Sequence, residues 1–160
     1  MASLELALSI THVLVAAAWF GAMVYSMTVL HPRASLFFKK NGDVEALLIT
    51  LSDGARWKVL GACVLIAVSG VGLAITSWPS AVPATWLVLI GAKLALFLMA
   101  VALFGYTSWR LWPARVFATT EEIPVFRRTF RLIAWSLIVL VGLAMAVGVA
   151  ARLLRESVRT

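Results

Sequence analysis

The sequence has little charge and almost no cysteine. Of its 160 residues, only 13% are charged and 62% are hydrophobic, and its mean hydropathy is +0.99. Soluble domains are about 25% charged, so this composition excludes a water-soluble globular domain. Cys63 is the single cysteine, which excludes a disulfide framework and any site built on a CxxC pair. A glycine-rich phosphate loop and a nucleophile elbow are also missing from the sequence.

The apolar residues form four runs, each long enough to cross a bilayer. A helix of about 20 apolar residues spans the hydrocarbon core of a membrane. The runs predict helices at about 6–30, 59–78, 86–109 and 132–151, with Pro32 and Pro113 stopping the first and third. We expect the first helix to stay uncleaved, because its apolar run is longer than the roughly 7–15 residues of a signal peptide. The predicted fold is an all-α integral membrane four-helix bundle, residues 1–160 forming one domain.

The distribution of basic residues predicts the orientation in the membrane. The two long loops, 31–58 and 110–131, carry ten Lys and Arg residues together, against three in the C-terminal tail. By the positive-inside rule, both loops lie in the cytoplasm and both termini lie outside the inner (plasma) membrane. Membrane topology thus explains the net charge of +7, and no nucleic acid is expected as a partner.

The two halves of the chain share a pattern. At an offset of 81 residues, His12 falls on Lys93 and Pro32 falls on Pro113. At an offset of 73, the pair Trp57-Lys58 falls on Phe130-Arg131. This pattern predicts two repeated two-helix units related by an axis along the membrane normal. The alternative is that membrane hairpins in general share basic starts and proline ends.

His12 and Lys93 are, tyrosines and Cys63 aside, the only ionisable side chains well inside the predicted spans. Such residues are costly in lipid and mark functional sites. Both lie at the same predicted depth on parallel helices, roughly 10–11 Å below the outer surface. Imidazole and a neutral amine are both nitrogen ligands. The pair therefore predicts the axial ligands of a b-type haem between the first and third helices, with Trp19 and Phe20 lining the ring. The structural alternatives are an interhelical hydrogen bond from His12 and a Lys93 that extends to the interface.

The stretch from His12 to Trp19-Phe20-Gly21 resembles the first helix of the HemJ-type protoporphyrinogen oxidases. In that family a haem-binding histidine is followed seven residues later by Trp-Phe and a small residue. The pair Lys93-Leu94 matches the family's Lys-Leu pair on a later helix, and Arg56-Trp57 matches its Arg-aromatic start to the second helix. The resemblance covers roughly residues 5–108 and implies haem binding at His12 and Lys93 in redox or tetrapyrrole chemistry. The chain is also similar to the membrane domain of the copper resistance protein D family.

Two other functions stay open at this point. A chain of 17.3 kDa with almost nothing outside the membrane also suits a non-enzymatic accessory subunit of a larger respiratory or photosynthetic complex, or a homo-oligomer. Copper transport or resistance is the third interpretation. It depends on Met23, Met27 and His31, which lie at α-helical spacing, because thioether sulfur is a ligand that favours Cu(I).

Overall fold

The computed structural model describes residues 2–38, 41–52, 54–76, 83–119 and 121–157. Every regular element in these ranges is helical, which confirms the predicted all-α class. The α-helices are α1 (Ala2–Tyr25), α2 (His31–Phe37), α3 (Asn41–Ser52), α4 (Ala55–Thr76), α5 (Ala84–Tyr106), α6 (Trp112–Val116) and α7 (Ile123–Ser157). Two π-helical turns, Ser26–Leu30 and Thr107–Leu111, join α1 to α2 and α5 to α6.

Within the described residues, four helical stretches are long and apolar enough to cross a bilayer, as predicted. They are Ser3–Phe37, Ala55–Thr76, Ala84–Val116 and Ile123–Leu154. The first is 35 residues long, about 52 Å at 1.5 Å per residue. A hydrocarbon core is only about 30 Å thick, so the longest stretches extend beyond the core.

The prediction that Pro32 and Pro113 stop the first and third helices is wrong. Each proline lies in the first turn of a short helix, α2 or α6, that continues directly from a π-helical turn. The backbone N–H of His31, just before Pro32, donates a hydrogen bond to the carbonyl of Ser26, five residues earlier. Trp112, just before Pro113, donates in the same way to the carbonyl of Thr107. A proline lacks the N–H and its ring needs space beside the preceding turn. The wider π turn accommodates the ring, so the helix continues.

The chain divides into two compact units, Met1–Ser77 and Trp78–Thr160, named unit 1 and unit 2 below. In unit 1, α1 packs on α4, and in unit 2, α5 packs on α7. The helices of unit 1 are antiparallel, because His12 contacts Ser69 whereas the earlier residue Leu8 contacts the later residue Gly72. The single domain and the four-helix bundle remain predictions.

In unit 1, the connection between the long helices folds into a small apolar layer. Ala34 on α2 packs with Val44 and Leu48 on α3, and all three are buried. Gly54 precedes α4 with a φ of +67°, a left-handed conformation that costs little only for glycine. The loop therefore holds α2 against α3 and then turns sharply into α4.

In unit 2, Thr119 and Glu122 cap the start of α7. The Glu122 carboxylate accepts hydrogen bonds from the backbone N–H of Thr119 at 2.9 Å and from its hydroxyl at 3.0 Å. The spacing Thr-x-x-Glu is that of a capping box. Nearby, the guanidinium of Arg115 lies over the rings of Trp112 and Phe130, 5.5 Å and 5.0 Å from their centroids. These contacts connect α6 to the first turns of α7.

Candidate functional site

His12 is held on α1 by a hydrogen bond to the neighbouring helix of its unit. Its Nδ1 lies 2.9 Å from the Oγ of Ser69 on α4. The Ser69 hydroxyl donates its single proton to backbone carbonyls, that of Leu65 at 2.6 Å and more weakly that of Ile66 at 3.2 Å. Ser69 Oγ must therefore accept from His12, which requires the tautomer that carries the proton on Nδ1. In this tautomer the lone pair is on Nε2, the atom that a metal ion would bind.

Gly70 provides the space that the His12 ring occupies. A Cβ atom at position 70 would lie 3.3 Å from Cε1 of the imidazole and 3.7 Å from its Nδ1. The first distance is tighter than ordinary van der Waals contact, so a larger residue would push the ring away. Ser69 is only 3% exposed, and His12 is half-buried. A serine and a glycine, adjacent on α4, thus fix both the hydrogen bond and the position of the ring.

Lys93 lies against a glycine of the second long helix in its own unit. A Cβ atom at Gly148 on α7 would lie 3.1 Å from Nζ of Lys93, 3.3 Å from Cε and 3.6 Å from Cδ. The outer half of the lysine side chain therefore runs across one position of α7. The sequence places Gly148 on a face of small residues with Ala144, and the structure shows that this face is used inside unit 2.

The two units thus share an arrangement that the sequence pattern only partly predicted. Each has a nitrogen-bearing side chain on its first long helix, lying over a glycine on its second. The offset of 81 relates His12 to Lys93, but the predicted offset of 73 places Gly70 on Leu143 rather than on Gly148. Ser69 and Gly70 were not predicted from the sequence. The available signal was a hydroxyl next to a glycine in an otherwise apolar helix.

Trp19 and Phe20, the residues predicted to line a haem ring, both lie on α1. Trp19 follows His12 by seven residues, about two helical turns, so the two share a face of the helix. Trp19 is buried, with 6% of its surface exposed, and Phe20 is half-buried. Their contact with a haem remains a prediction.

The weaker set, Met23, Met27 and His31, depends on a regular helix that the structure interrupts. The π-helical turn from Ser26 to Leu30 changes the spacing between these residues. Nδ1 of His31 donates a hydrogen bond to the carbonyl of Ser26 at 2.8 Å. Copper binding remains a prediction that the geometry does not favour.

No protein-built metal cage is found in the described part of the chain. There, no three His, Cys, Asp or Glu side chains lie together in a way that could hold an ion. A haem iron needs fewer protein ligands, because the porphyrin supplies the equatorial ligands and a single proximal histidine is enough in many haem proteins.

Comparison with known proteins identifies no relative. No protein-family model, no curated protein and no solved structure matches this sequence. The resemblance to the HemJ-type oxidases and to the copper resistance protein D family therefore stays a prediction.

Proposed function

We propose that this chain is an integral membrane protein that binds a b-type haem through Nε2 of His12 and takes part in redox or tetrapyrrole chemistry. One observation carries the proposal: the hydrogen bond from Nδ1 of His12 to Ser69. Metal-ligating histidines almost always donate their other ring N–H to a fixed acceptor, which sets the tautomer and raises the basicity of the ligand. Ser69 is such an acceptor, because its own proton is committed to the backbone.

The residues around His12 fit the needs of a haem ligand. A bound haem would supply one-electron chemistry that no side chain here provides. The protein's part is to orient the imidazole, and this is done by Ser69 and Gly70. Trp19 adds a buried aromatic surface two turns along the same face. Lys93 is the predicted second ligand, and as a ligand its amine would have to be neutral.

A visible absorption spectrum tests the proposal directly. The full chain, purified in lipid nanodiscs and incubated with haemin, is expected to show a Soret band with the sharp features of a ligated iron. His12→Ala should remove these features, because the chain's other histidine, His31, lies at the start of α2 and donates its Nδ1 proton to the carbonyl of Ser26. His31→Ala is the matched control, since it removes the chain's other histidine and should leave the spectrum unchanged.

Two results would contradict the haem proposal. One is a wild-type chain that gives only the spectrum of free haemin. The other is a His12→Ala variant with the spectrum of the wild type. The first result would favour the accessory-subunit interpretation, which requires no chromophore. The second would assign the haem to a ligand other than His12.

We also propose that the loops carrying ten Lys and Arg residues lie in the cytoplasm and that the membrane is the inner (plasma) membrane. Other membrane subunits or further copies of the chain are its expected partners. Single cysteines introduced at Ser35 and Ala118, in a Cys63→Ser background, should resist a membrane-impermeant thiol reagent on intact cells. Labelling at both positions would show that these loops lie outside the cell, which contradicts the proposed orientation.

A duplication of one two-helix unit would explain why the two units resemble each other. The π-helical turns begin at Ser26 and Thr107, which are 81 residues apart, the same offset that relates His12 to Lys93. Trp19 and Ala100 share this offset, and both are buried. The agreement supports a common origin for the first long helix of each unit, and hence equivalent positions for the two predicted ligands.

A further inference from the structure

An open groove lies in unit 1 between α2 and α3, where the first membrane-spanning stretch ends. Its volume is about 600 Å³, within the range of small-molecule sites. The apolar residues that line it are Leu30, Ala34, Leu36, Phe37, Phe38 and Leu47. The groove is built rather than incidental, since the buried contacts between Ala34, Val44 and Leu48 fix α2 on α3.

Among the residues that the structure describes, Arg33 is the one charged residue of the groove lining. The acidic residues on α3, Asp43 and Glu45, are not part of the lining. The groove thus combines an apolar surface with the cation of Arg33, and the ligand that matches this pattern is an amphiphile with an anionic head.

The position of the groove indicates where that amphiphile comes from. The helical stretch Ser3–Phe37 is 35 residues long, whereas about 20 residues cross the hydrocarbon core. The last turns, which form the groove, therefore lie near the boundary between acyl chains and headgroups. Leu36 and Phe37 are each 82% exposed in the isolated chain, and large exposed apolar side chains of this kind mark contacts with lipid or partners.

We infer that this groove binds one anionic phospholipid, with an acyl chain along its apolar lining and the phosphate at Arg33. The charge of the groove favours a lipid as its ligand over a second copy of the chain. A second copy would bring more basic residues to Arg33, because the loop at 31–58 carries five Lys and Arg against three acidic residues. A phosphodiester in the membrane supplies the missing negative charge without that repulsion. The site does not depend on haem.

Native mass spectrometry of the full chain in mild detergent tests this inference. The protein is mixed with equal amounts of phosphatidylglycerol and phosphatidylcholine that carry the same acyl chains. The phosphatidylglycerol adduct is expected to exceed the phosphatidylcholine adduct by about fivefold, the effect of one basic residue near a lipid surface. Arg33→Gln should abolish this preference. Arg56→Gln, which removes an arginine of the same loop from outside the groove lining, is the matched control and should keep it.

Two further arms separate the sources of binding. Phe37→Ser should weaken both adducts but keep the preference, because it removes apolar contact and leaves the cation. An excess of inorganic phosphate should not displace the lipid; displacement would reduce the site to a simple anion site and overturn the acyl-chain part of the inference. Equal adducts in the wild type would overturn it too, as would an Arg33→Gln variant that is folded by circular dichroism and still prefers phosphatidylglycerol. A lipid-free dimer that Phe37→Ser dissociates would assign the groove to a second copy.

Discussion

Replacing Ser69 by alanine separates a haem-positioning role from a purely structural one. The change removes the acceptor that lies 2.9 Å from Nδ1 of His12. An interhelical hydrogen bond in a membrane protein contributes on average about 0.6 kcal/mol and at most about 1.7 kcal/mol to stability. Loss of the outer partner of a metal-bound histidine typically costs about 10–100-fold in metal affinity, which is roughly 1.4–2.7 kcal/mol. We therefore expect the affinity for haem to fall by more free energy than the stability of the haem-free protein.

Two measurements on the same samples make this comparison. Haem is titrated into the haem-free protein in nanodiscs and followed at the Soret maximum, and the free energy of unfolding is measured in a denaturing detergent series. Ser108→Ala is the matched control, since Ser108 is the other buried serine in the described part of the chain. It should change stability by a similar amount and leave haem affinity alone.

A specific outcome would refute the reasoning. If Ser69→Ala lowers stability but binds haem as tightly as the wild type, the hydrogen bond serves only to hold α1 on α4. The double variant His12→Ala with Ser69→Ala extends the test. Without the imidazole, the effect of removing the Ser69 hydroxyl on haem binding should disappear.

Three further predictions concern the connections between the long helices. Gly54→Ala places a side chain at φ +67° and should lower the free energy of unfolding by about 1–2 kcal/mol, whereas Gly61→Ala, in open helix, should not. The hydrogen bonds from Thr119 hold the pKa of Glu122 below its ordinary value. Their stabilisation is present above the ordinary pKa and lost as pH falls through the lowered one, so the advantage of the wild type over Glu122→Gln in thermal unfolding should vanish on acidification; a pH-independent difference would contradict the cap. Arg115→Ala should lower the free energy of unfolding by about 0.5–1 kcal/mol, and Arg115→Lys should lower it by less. Equal stability of the wild type and both variants would exclude a contribution from the ring contacts.

The four membrane-spanning helices were predictable because bilayer thickness alone sets the length of an apolar run. Their ends were not. From the sequence alone, Pro32 and Pro113 are expected to end a helix. The helix continues past them because the turns that begin at Ser26 and Thr107 have the wider π-helical hydrogen bonding. No residue type requires a π turn, so its position emerges only from the folded backbone. The cap at Thr119, by contrast, was readable from its spacing to Glu122.

The candidate site shows the same division between composition and geometry. His12 and Lys93 stood out because ionisable residues are rare in lipid. Ser69 and Gly70, the partners of His12, did not, because serine and glycine are ordinary residues of membrane helices. An almost uniformly apolar helix also gives no face by which to align it with its neighbour. The pairing of His12 with Ser69 depends on the register of two antiparallel helices, which hydropathy does not predict.

The two glycine contacts have different consequences for the chemistry of the side chains above them. At Gly70 the preceding residue is Ser69, whose hydroxyl fixes the rotation and tautomer of the His12 ring. At Gly148 the preceding residue is Val147, which offers no hydroxyl, and the lysine lies over the helix on four rotatable bonds. Because the imidazole is already oriented before a ligand binds, part of the ordering cost of binding is absent at His12. The local geometry thus favours His12 as the residue that sets the affinity of the proposed haem site.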